Sequence, residues 1–125
     1  MRLVDEVVEL VPGERVVARR TTKDSDFFFQ GHFPGQPIVP AVILVEMLAQ
    51  AGGLAAAASE QPDVAPVQLR VAAFGPFKFP SAAVPGQLLE ARARVSGRLG
   101  TLVKIDGEVT ADGRVVATGS VTLAG

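Results

Sequence analysis

The chain has no cysteine, so it forms no disulfide, offers no thiol nucleophile and has no thiolate to hold a metal. It has one histidine, too few nitrogen ligands for a zinc site, and neither a metal nor another cofactor is expected. Charge of either sign is in short supply. Twelve basic residues against thirteen acidic ones leave a formal charge of −1, which gives no electrostatic footprint for nucleic acid. Met1-Arg2-Leu3-Val4-Asp5-Glu6 carries two acids in six positions and does not read as a secretory signal, so the cytoplasm is the expected compartment. An uninterrupted membrane-length apolar run is also missing. Ile38 to Ala58 comes near it, but Pro40, Glu46, Gln50 and the Gly52-Gly53 pair break it, and much of its apolar content is alanine. A buried central helix fits that stretch, and no membrane association is expected.

What remains is a chain of 125 residues, 48% of them hydrophobic. That length and content suit one domain over residues 1–125, burying about two-thirds of its unfolded surface. Leu3 to Val11 reads as a strand, Pro12-Gly13-Glu14 as a turn and Arg15 to Thr22 as a second strand. Lys23 to Gly31 reads as a loop, and its three phenylalanines, Phe27-Phe28-Phe29, suit core and interface packing. Pro37 and Pro40 lead into a helix from about Ala41 to Ala58, with Pro40 suited to the first turn, where a missing N–H costs nothing. Val67 to Phe79 reads as a strand with a bulge at Gly75-Pro76, and Val84-Pro85-Gly86 as a turn.

From Leu89 the period is two. Leu89, Ala91, Ala93 and Val95 face one way and Glu90, Arg92 and Arg94 the other. Val103, Ile105, Gly107, Val109 and Ala111 repeat the pattern against Lys104, Asp106, Glu108 and Thr110. Asp112-Gly113 is a tight-hairpin signal, followed by a last strand through Val115, Ala117, Gly119, Val121 and Leu123. The order is strand, strand, helix and then about four strands in consecutive antiparallel connection. One helix, apolar on nearly every side, must serve the whole sheet. The expected fold is α+β, a curved antiparallel sheet of about six strands wrapped around a central helix. Its edges stay open, so pairing with a second copy is expected.

The chemistry concentrates in Gly31-His32-Phe33-Pro34-Gly35-Gln36-Pro37-Ile38-Val39-Pro40-Ala41-Val42-Ile43-Leu44-Val45-Glu46. His32 is the side chain whose unperturbed pKa lies near neutrality, the natural proton acceptor at physiological pH. Glu46 stands alone in the otherwise apolar run Ala41 to Leu48. A carboxyl group there must be paired, stay protonated or face a cleft. One candidate base and one candidate acid on a short rigid connection point to proton transfer.

The segment from His32 to Pro40, with Glu46 fourteen positions after the histidine and then Ala49-Gln50, resembles the active-site segment of the 3-hydroxyacyl-[acyl-carrier-protein] dehydratases of fatty acid biosynthesis. The resemblance extends to Val11 to Arg19, Phe28-Phe29-Gln30-Gly31, Val84-Pro85-Gly86-Gln87-Leu88 and Asp112 to Ala117, and so covers nearly the whole chain. It implies a hot-dog fold and a homodimer with a continuous sheet, able to assemble further. The substrate would be an acyl thioester on acyl carrier protein or coenzyme A. It also implies an active site shared between subunits, with His32 of one chain as base at C2 and Glu46 of the other as acid toward the leaving hydroxyl. The free N–H at the helix start, Ala41, would polarise the thioester carbonyl. Gln50, one turn after Glu46, would orient its carboxyl group. Phe33 and Gly35 complete the implied substrate-binding set. Ala41 stands where these dehydratases carry glycine. A thioesterase of the same fold, or a non-catalytic acyl-thioester-binding module, are the alternatives.

Overall fold

The computed structural model describes residues 2–23, 25–26, 37–58 and 69–125. They form β1 (Glu6–Val11), β2 (Arg15–Thr21), α1 (Ala41–Ala57), β3 (Arg70–Lys78), β4 (Leu88–Leu99), β5 (Leu102–Ala111) and β6 (Arg114–Ala124). The six strands make one antiparallel sheet in the order β1-β2-β4-β5-β6-β3. The helix packs on one face of it.

Local chemistry explains the hairpins. Asp112 and Gly113 both adopt positive φ, 48° and 85°, the pairing that matches a two-residue turn to the right-handed strand twist. At the β1–β2 turn, Glu14 N–H donates to Val11 O at 3.0 Å. The period-two residues fall as their spacing predicts. Leu89, Ala91 and Ala93 on β4, and Val103, Ile105, Val109 and Ala111 on β5, are buried. The charged residues between them take the other face. Against the apolar face lie Ile43, Leu44, Met47, Leu48, Ala51, Gly52 and Ala55 of α1. A Cβ at Gly107 would run into Leu48 Cδ1, 2.8 Å away, and into Arg92 O. Glycine there lets the helix come close to the sheet.

α1 begins directly after Pro40, which sits at the cap position with φ −57° and ψ 143°, one residue before the expected first turn. It stops at Ala58, where the chain becomes extended. No helix among the described residues is long and apolar enough to cross a membrane.

Two further features differ from the sequence-based expectation. The strand expected from Leu3 starts at Glu6. Leu3 and Val4 are buried outside the ladder, and Leu3 N–H is taken by a side chain of α1. The last four strands are also not consecutive neighbours, because β3 lies at the far edge against β6 while β4 pairs with β2. The connection from Phe79 to Gln87 holds Pro80 and Pro85 and is too long for a tight hairpin. It is anchored instead to the end of β2. Thr22, buried, donates through Oγ1 to Gln87 O at 2.9 Å, and Gly86 N–H donates to Thr22 O at 3.2 Å. The bulge expected at Gly75-Pro76 is present as a register shift between Phe74 and Phe77.

Candidate active site

Helical periodicity brings Glu46, Ala49, Gln50 and Gly53 onto one face of α1. All four line a cavity of about 610 Å³, whose other walls come from Val4 and Val7 near the start of the chain, Leu69 and Val71 at the start of β3, and Leu123 of β6, with Arg2, Asp5, Glu6 and Arg70 adding charge to that lining. Glu46 is half-buried, and no ion pair among the described residues involves it. Of the three fates open to a carboxyl group in that apolar run, facing a cleft is the one observed.

Gln50 holds a defined orientation. Its Oε1 accepts the N–H of Leu3 at 2.8 Å, and its Nε2 donates to Glu46 Oε1 at 3.4 Å. A backbone N–H can only donate, so it fixes the oxygen end of the amide and turns the NH2 toward the carboxyl group. The segment bearing Leu3 is itself secured. Arg20 Nη1 donates to Arg2 O at 3.0 Å, and Asp5 N–H donates to Arg19 O at 2.9 Å. The same Arg20, its side chain 13% exposed, pairs with Asp26 at 2.7 Å. The sequence carried no local signal for the Leu3–Gln50 contact, because its partners lie 47 positions apart.

A family model described as a FabA-like domain matches residues 1–120. The chain is 40% identical over 124 residues to the 3-hydroxyacyl-[acyl-carrier-protein] dehydratase FabZ of Ruminiclostridium cellulolyticum, an alignment covering 98% of this chain and 84% of that one. The chain belongs to the FabA-like dehydratase family.

Solved structures agree on the fold of this FabA-like chain. The dehydratase heterocomplex ApeI:P from Xenorhabdus doucetiae matches with a TM-score of 0.82 at 17% identity, covering 98% of this chain and 82% of that one. A phenylacetic acid degradation-related protein of Ralstonia eutropha, described as a putative thioesterase, matches with a TM-score of 0.68 at 22% identity, covering 89% and 76%. Both likenesses speak for the hot-dog architecture alone.

Of the site residues expected from sequence, Glu46 and Gln50 come together on the cavity. Ala41 opens α1 but is not among the residues lining that cavity. No side chain caps the N-terminus of α1; Ile43 N–H donates to Pro40 O at 3.0 Å, and no hydrogen bond among the described residues takes the N–H of Ala41 or Val42. Asp112 is the one non-glycine residue with positive φ among the described residues. Alanine at 41 therefore causes no backbone strain. His32, Phe33 and Gly35, and the phenylalanines at 27–29, lie outside the described residues.

Proposed function

We infer that this protein removes water from 3-hydroxyacyl thioesters carried on acyl carrier protein, giving trans-2-enoyl thioesters in fatty acid biosynthesis in the cytoplasm. The observation that carries this reading is Glu46. In a chain of the dehydratase family, a half-buried carboxyl group with no ionic partner among the described residues faces a largely apolar cavity, with an amide donor beside it.

The reaction breaks the C2–H and C3–O bonds. His32 takes the C2 proton through a neutral imidazole nitrogen. The C2–H electron pair becomes the C2–C3 double bond as the C3 hydroxyl leaves. Glu46 delivers a proton to that oxygen, so water departs rather than hydroxide. Gln50 holds the Glu46 carboxyl group in place. Negative charge grows on the thioester oxygen as the C2 proton leaves. The N–H groups of Ala41 and Val42, which no hydrogen bond among the described residues takes, suit that oxygen, and such donors contribute about 3–4 kcal/mol. Phe33 and Gly35 bind substrate beside His32.

The working unit is a homodimer in which His32 of one chain meets Glu46 of the other, and dimers can assemble further. Three features support this. β3 is the edge strand of the sheet, with no further strand beside it among the described residues. Leu69, Arg70 and Val71, where that strand begins, line the Glu46 cavity, so a second copy pairing along β3 would lie beside the acid. Between Arg70 and Lys78, the stretch Val71 to Phe74 is uncharged and ends on Phe74, 60% exposed, which leaves apolar surface at that edge.

The test is turnover of a 3-hydroxyacyl thioester on acyl carrier protein, followed by absorbance of the conjugated enoyl product. Wild-type protein should be active, and His32→Ala and Glu46→Gln should each lose on the order of 10²–10⁴-fold in kcat. Release of free thiol without enoyl product would replace this reading with a thioesterase. Tight acyl binding without turnover would replace it with a binding module.

A further inference from the structure

The two adjacent glycines of α1 do different things. A Cβ at Gly52 would lie 2.5 Å from Ile105 Cγ2 and 2.9 Å from Ile105 Cγ1, so packing against β5 demands glycine. Among the described residues, a Cβ at Gly53 would meet nothing nearer than Leu123 Cδ1 at 3.9 Å, an ordinary van der Waals contact. Gly53 does not have a positive φ either. Neither packing among the described residues nor backbone conformation calls for glycine at 53, yet a mid-helix glycine is the poorest helix former short of proline. Gly53 does line the cavity that Glu46 faces. It follows Glu46 by seven residues on the same face of α1, roughly 10.5 Å along the axis. Ala49 lies between them; Leu69, Val71 and Leu123 give the facing wall its apolar surface, with Arg70 the charged residue in it.

We propose that Gly53 sets the length of acyl chain this cavity admits, its missing side chain leaving room for chains of about eleven carbons or more. The inference rests on the dehydratase reading, which puts C3 of the substrate beside Glu46. An extended methylene chain with bonds of about 1.5 Å at near-tetrahedral angles advances roughly 1.25 Å per carbon. The roughly 10.5 Å from Glu46 to Gly53 therefore spans about eight carbons beyond C3. A four-carbon substrate stops well short of Gly53, and a twelve-carbon one reaches it. Each methylene that moves from water to apolar surroundings gains roughly a factor of four. A side chain at 53 forfeits that gain for the far end of a long chain.

Wild-type protein, Gly53→Ala and Gly53→Leu are compared on 3-hydroxybutyryl and 3-hydroxydodecanoyl thioesters of one carrier. The twelve-to-four-carbon ratio of kcat/KM should fall roughly two- to fourfold in Gly53→Ala and by about tenfold or more in Gly53→Leu. The alanine variant should melt no lower than wild type, which separates a loss of fold from a loss of room. A ratio unchanged in both variants overturns the proposal, as does wild-type protein that accepts four carbons and rejects twelve. If wild-type protein turns over neither thioester, it is the dehydratase reading that fails. Calorimetric titration with butanoyl and dodecanoyl thioesters then decides Gly53. Loss of long-chain preference in Gly53→Leu supports the assignment, and an unchanged preference, or no binding of the long chain, overturns it.

Discussion

Glu90 on β4 sits between two guanidinium groups, with Arg19 Nε at 2.8 Å on β2 and Arg92 Nη2 at 2.8 Å on its own strand. The hydrogen bond from Arg19 is the main force holding its carboxyl below the ordinary value of 4.5. Burial opposes the shift, and Arg92 adds to it. A carboxyl whose folded value is depressed stabilises the fold above its unfolded value, and that contribution disappears as the pH falls through the folded one. Wild-type stability to urea should therefore decline as the pH drops below 4.5, and Glu90→Gln should flatten that decline. Equal slopes in the two proteins would count against the pairing. Gln50 is a second residue whose surroundings set its worth. Replacing it with leucine strands the N–H of buried Leu3. The expected loss is about 1–3 kcal/mol in chemical denaturation, with a fall in kcat as Glu46 loses its amide neighbour.

At the scale of elements, α1 lies close enough to β5 for a single methyl group to be felt. Gly52→Ala would improve helix propensity by about 1 kcal/mol. It would also force Ile105 aside, an overpacking cost of about 1–3 kcal/mol. A lower melting temperature is expected for Gly52→Ala, and truncation at the contact, Ile105→Ala, should make the added methyl less harmful when the two are combined. An increase in stability from Gly52→Ala alone would show that the helix can move off the sheet freely. The elements themselves were legible because their signals are local: period-two alternation on β4 and β5, Asp112-Gly113 at a turn, Pro40 before an apolar helix. The placement of β3 was not, since alternation says which face a residue takes and nothing about which strand lies alongside. The site divides the same way. Glu46 and Gln50 share a face by helical spacing and could be paired from the sequence. The buried Leu3 amide, the Arg20 clamp and the separate roles of Gly52 and Gly53 depend on contacts between segments far apart in the chain.

For the whole molecule the question is which chain supplies each half of the site. Phe74, 60% exposed on the edge strand β3, is apolar surface suited to burial between subunits, and the Glu46 cavity lies at the start of that same strand. If His32 and Glu46 meet across a two-fold axis, two dead variants should rescue each other. A heterodimer of His32→Ala with Glu46→Gln has one site carrying both substitutions and one site carrying neither. Random exchange makes about half the dimers mixed, each with one of its two sites intact, so co-expressed or co-refolded variants should recover about a quarter of wild-type activity. The same mixture made without subunit exchange should stay inactive. If both groups act within one chain, no mixture recovers anything, because every chain then carries its own broken site. Recovery near a quarter therefore reports the shared geometry and the dimer together, and its absence in a mixture known to contain heterodimers would confine the chemistry to a single subunit.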